Sequence, residues 1–101
     1  MFSNRFGKKA IYLLDEPEAA LSPARQLAFL QIIKELEQEA QFIIATHSPI
    51  LLGYPHAQII DFDARPIRET RYEDTMHYII TRRFLENRSK MLQELFDEGD
   101  E

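Results

Sequence analysis

The chain has no cysteine among its 101 residues and little glycine, three residues in all. The missing cysteine excludes a disulfide scaffold, a thiolate zinc site and a cysteine nucleophile, and it fits a reducing compartment. The scarce glycine excludes a collagen-like chain. No apolar run approaches the roughly 20 residues that span a bilayer. The first nine residues carry charge but are followed by no apolar segment of signal-peptide type before Asp15 and Glu16. A soluble, cytoplasmic protein with no membrane partner is therefore expected. Excess positive charge is missing too: the net charge is -5, so the whole chain is no generic binder of polyanions. What is present is ordinary for a globular domain, with 45% hydrophobic and 29% charged residues. The length suits one small domain, or a piece of a larger one, that buries roughly 60–70% of its unfolded surface.

Ala10-Ile11-Tyr12-Leu13-Leu14 is a continuous apolar run that stops at Asp15-Glu16-Pro17. Such a run reads as a strand buried on both faces, as in parallel sheets. Ser22 as cap and Pro23 at the first helical position start a helix that should reach about Glu39. Its apolar residues Phe29, Ile32, Ile33 and Leu36 form one core-facing stripe. Gln41 to Thr46 reads as a second buried strand, ending at His47-Ser48-Pro49, where the cap-and-proline device recurs before a short helical turn at Ile50–Leu52. Strand, helix and strand of these lengths make a βαβ unit with a right-handed crossover. Ala57 to Phe62 reads as a third strand, which Pro66–Thr70 should join across a turn near Asp63-Ala64-Arg65. The remainder is helical. Met76, Ile80 and Phe84 share one face. Asn87 should cap a last helix whose Met91, Leu92, Leu95 and Phe96 pack into the core.

In open parallel sheets ligands sit outside the carboxyl ends of the strands. Two such ends carry ionisable groups here, Asp15-Glu16 and His47, and one βαβ unit brings them to the same sheet edge. An acidic pair beside an imidazole suits nucleoside triphosphate hydrolysis. One carboxylate serves Mg²⁺ and a second orients or deprotonates the attacking water.

The residues then become recognisable. Ile11-Tyr12-Leu13-Leu14-Asp15-Glu16-Pro17 resembles the Walker B segment of ABC-type ATPases. Glu18-Ala19-Ala20-Leu21-Ser22-Pro23 resembles their D-loop, and Ile44-Ala45-Thr46-His47-Ser48 resembles their switch-histidine loop. Glu18 and Ser22-Pro23 look less like a transporter subunit, which usually has aspartate where Ser22 stands. They look more like soluble AAA-family ATPases of the SMC and RecF neighbourhood. The resemblance covers about residues 9–70. It implies that Asp15 serves Mg²⁺, that Glu16 acts on the water and that His47 contacts the γ-phosphate of ATP. It also implies that Ala19, Ala20, Leu21 and Ser22 face the nucleotide and the partner subunit of a head-to-tail dimer.

A P-loop requires Gly-x-x-x-x-Gly-Lys-Ser/Thr. Gly7-Lys8 offers its end, but Phe2 stands at the first glycine and Lys9 at the hydroxyl. The glycine-bearing ABC signature and a glutamine loop are not found either. The expected fold is thus α/β, a partial P-loop NTPase parallel sheet with a β-hairpin and C-terminal helices. In that reading residues 1–9 are the tail of a signature helix, 10–63 the βαβ core, and 64–101 the hairpin and helices. The expected partner is the missing N-terminal half or a second ATPase subunit, and the isolated chain should be inactive.

Plainer readings stand beside these. A carboxylate after a strand is often only a solvated strand end, and a loop histidine is often only hydrogen-bonded. His56 and His77 have no partner pattern and are read as structural. Asp61 and Asp63 alternate on one strand face and imitate a metal pair, but strand-end solvation explains them. Arg65, Arg68, Arg71, Arg82, Arg83 and Arg88 are compatible with a nucleic-acid surface, and solvated helix faces explain them without new assumptions. Two functional alternatives remain: a non-catalytic remnant or interaction module of the same fold, and another Mg²⁺-dependent hydrolase using Asp15, Glu16 and Asp61.

Overall fold

A computed structural model describes residues 10–99. The expected signature-helix tail at residues 1–9 lies outside the described residues. The chain divides into two compact units, residues 1–57 and 58–101.

In the first unit, β1 (Ala10–Asp15) and β2 (Ala40–Ala45) pair in parallel, with Ala10 opposite Ala40 and Asp15 opposite Ala45. Parallel strands need a long crossover, supplied here by α1 (Pro23–Leu36). Between β1 and α1 lies a short 3-10 helix, Pro17–Ala20. The start of α1 follows the sequence: the Ser22 hydroxyl accepts the Arg25 N–H, and Pro23 occupies a position whose N–H would have no partner. After β2, the Ser48 hydroxyl accepts the Ile50 and Leu51 N–H groups and opens the second 3-10 turn, Leu51–Gly53. The Tyr54 hydroxyl donates to Glu37, which also pairs with Lys34, so this turn is tied to the end of α1.

The expectation of two strands buried on both faces is corrected by the structure. Register partners in a parallel pair share a face. On one face Ala10, Leu14, Ala40, Phe42 and Ile44 are buried or half-buried, while Tyr12, which is exposed, stacks on its register partner Phe42 with ring centroids 5.2 Å apart. The other face is open, with Leu13 74% and Ile43 52% exposed. A two-stranded sheet beside one helix cannot cover both its faces, whatever its side chains would prefer. The α1 stripe is likewise only partly buried: Ile33 is 5% exposed, but Ile32 is 50% exposed.

In the second unit, β3 (Ile59–Asp61) and β4 (Arg68–Thr70) form the antiparallel hairpin that the sequence predicts. Its turn contains a cis Arg65–Pro66 bond, and the Asp61 carboxylate accepts the Asp63 N–H. A 3-10 turn, Tyr72–Asp74, leads into α2 (Met76–Glu86), which Thr75 caps by accepting the Tyr78 N–H. Next comes α3 (Arg88–Gly99). Asn87 closes α2 rather than only opening α3. Its side chain donates to the Arg83 carbonyl and its N–H to those of Arg83 and Phe84, while its own carbonyl receives the Met91 N–H. The face of α2 expected in the core is another correction, because Met76 and Ile80 are exposed. Of that face only Phe84 is half-buried; the other half-buried positions are His77, Tyr78, Ile79 and Thr81. Leu95 and Phe96 of α3 are exposed as well, and only Met91 and Leu92 of the expected stripe are half-buried. No described helix is long and apolar enough to cross a membrane.

Candidate functional site at the carboxyl edge of the parallel pair

The register sets this edge. Asp15, the last residue of β1, stands opposite Ala45, the last of β2. Glu16 continues the ladder for one more bond, its N–H donating to the Ala45 carbonyl over 2.7 Å. Its backbone then turns sharply into the left-handed region, with φ 48° and ψ 55°. That conformation costs a residue with a Cβ about 1–3 kcal/mol and gathers at functional sites. It is the more notable because Pro17 follows, and a proline normally holds its predecessor in extended geometry. Both carboxylates are exposed.

His47 lies two residues beyond β2, at the same edge, and is exposed. Its backbone is held. The Glu18 carboxylate accepts the Thr46 hydroxyl at 2.7 Å through one oxygen and the His47 N–H at 2.9 Å through the other. The Thr46 hydroxyl oxygen in turn accepts the Ser48 N–H at 3.0 Å. Burial alone would push the Glu18 carboxyl up. The hydrogen bonds from Thr46 and the His47 N–H, with smaller help from its own backbone and from His47 as a charge, outweigh burial and hold the group below its ordinary value.

A second contact runs through Gln26. It is buried on α1, its amide donates to the Leu21 carbonyl at 3.2 Å, and its amide oxygen accepts the Ser48 hydroxyl. The stretch 18–22 is thereby joined to the stretch 46–48 from both ends. Within the former, Ala19, Ala20 and Ser22 are exposed and Leu21 is half-buried.

The sequence reading named Asp15, Glu16, His47 and the 19–22 stretch, and all sit at or beside this edge. It passed over Glu18 and Gln26 as working residues. Gln26 left a legible trace, a polar residue in helical register with Phe29 and Ile33 on an otherwise apolar stripe. Glu18 stood out only as the start of the D-loop resemblance, with no sign of its bonds to Thr46 and His47.

The donor set can be tested against Mg²⁺. That ion is commonly bound through one or two protein carboxylates with water and substrate phosphate completing its shell. An exposed Asp15 at the strand end fits such a role. Among the described residues no group of three or more His, Cys, Asp or Glu side chains could hold a metal by itself. The phosphate would have to share the coordination.

Residues 5–53 match a family model described as AAA domain, putative AbiEii toxin, Type IV TA system. That stretch contains β1, the 3-10 helix, α1, β2 and the histidine loop, and so the whole of this edge. The match supports an AAA-type, P-loop ATPase-like segment with a nucleotide-binding function. Comparison with curated proteins and with solved structures gives no match.

Proposed function

We propose that this chain supplies the Walker B, D-loop and switch-histidine half of a soluble ABC-type ATPase resembling the SMC and RecF neighbourhood. The observation carrying this reading is the parallel register, which sets Asp15-Glu16 and His47 at one sheet edge with the 18–22 stretch tied beside them. The AAA-type match to residues 5–53 supports it at the level of the superfamily.

In this reading Asp15 would hold Mg²⁺ jointly with the phosphates of ATP, and the chemistry supplied there would be neutralisation of phosphate charge. Glu16 orients the attacking water and accepts its proton. His47 contacts the γ-phosphate. Ala19 to Ser22 face a second ATPase subunit in a head-to-tail dimer. The phosphate cradle of a Walker A loop is supplied by residues outside these 101, in a preceding half or another subunit.

The test is steady-state turnover of the assembly that contains a P-loop-bearing half. Glu16→Gln should lower the rate about 10²–10⁴-fold, the range for losing a general base. ATP binding should survive, because Asp15 still serves the metal. The 101-residue chain alone should release phosphate at a negligible rate. A Glu16→Gln rate within a factor of about two of the unmodified assembly would remove Glu16 from the water-activating role.

A further inference from the structure

Strand β2 ends at Ala45, so the sheet ladder does not fix the three residues that follow. Each of them is nevertheless held by a side chain. Thr46 gives its hydroxyl proton to Glu18, His47 gives its N–H to the other Glu18 oxygen, and Ser48 gives its hydroxyl proton to Gln26. Thr46 Oγ1 also accepts the Ser48 N–H, which commits that hydroxyl's own proton to Glu18. Two donors therefore converge on Glu18, and both require acceptors. A carboxylate accepts one donor at each oxygen, whereas in an amide one of those positions becomes an NH₂ that cannot accept, so the pair of bonds is not reproduced as it stands.

We infer that Glu18 is a positioning residue for His47: its two oxygens grip Thr46 and the His47 backbone, fixing the loop that carries the imidazole, while Gln26 extends the grip to Ser48 and Leu21. This rests on the function proposed above, which has His47 meet the nucleotide. It adds that the 18–22 stretch and the histidine loop form one hydrogen-bonded piece. Displacing either end displaces the other.

The test uses the assembly with its P-loop-bearing half. Glu18→Gln should lower kcat about tenfold or more, the worth of a lost hydrogen bond to a charged group, with KM for ATP changed less than about twofold. On a His47→Ala background the same substitution should cost less than about a factor of two, because there is no imidazole left to misplace. Thr46→Val should reproduce the Glu18→Gln loss and Thr46→Ser should restore the rate. If Glu18→Gln does not fold, this threonine pair carries the cycle. Without nucleotide, hydrogen exchange at the His47 amide should be about tenfold faster in Glu18→Gln. Rate losses that multiply in the double variant, or an unchanged exchange rate, overturn the inference. A normal rate in His47→Ala would instead overturn the proposed role of His47 itself, and the exchange measurement would still separate a gripped loop from a loose one.

Discussion

Two glutamates two residues apart have opposite surroundings at this edge. Glu16 is exposed and bent into a costly backbone conformation, while Glu18 is half-buried and accepts a donor at each oxygen. The surroundings of Glu18 hold its carboxyl below the ordinary value. Because its folded pKa is lowered, Glu18 contributes stability that is fully present above its ordinary value of 4.5 and is lost as pH falls through the folded value. Thermal midpoints measured from neutral pH downward should show this. Glu18→Gln should melt lower than the unmodified protein at neutral pH, and the two curves should converge as pH drops below about 4.5. A constant gap down to acid pH would mean that the charge of Glu18 contributes nothing to folding.

At the scale of elements, α1 is defined by its cap and proline more than by its apolar stripe. Ser22→Ala should destabilise the first unit by about 1 kcal/mol, the usual cost of losing such a cap, readable as a shift in denaturant midpoint with an unchanged slope. Pro23 and the Ser48 cap before Leu51–Gly53 were equally legible, because they act within a few residues of themselves. The hairpin was legible from its turn residues. The burial of the strands and of Met76, Ile80, Leu95 and Phe96 was not. Periodicity tells which side chains prefer cover, and nothing in it says whether the cover is part of the same chain. At the candidate site, the placement of Asp15, Glu16 and His47 at one edge was legible because a βαβ unit brings the carboxyl ends of its strands together. The Glu18–Thr46 bond was not, because it joins residues far apart in sequence whose only local sign is polarity.

Over the whole molecule, the open sheet face carries Ile11, Leu13 and Ile43 exposed, and among the described residues β2 has β1 as its single strand neighbour. Apolar, unpaired strand edges are templates for another chain. The isolated 101-residue chain should therefore self-associate, and adding a P-loop-bearing half should suppress this. Light scattering across a concentration series, with and without that half, checks it; a chain that stays monomeric throughout would contradict it. The parallel pairing has a further consequence, for the order in which the first unit folds. Every partner in β1 is separated from its mate in β2 by the same length of chain. No single pair is a short-range contact that could form early and lead the rest. The closure entropy must be met at once for the first pair, and the remaining five pairs then follow with little added cost. Coiling the 14 residues of α1 shortens their span from about 46 Å or more when extended to about 21 Å. The proposed active edge therefore depends on a crossover segment that shortens the gap between its two strands.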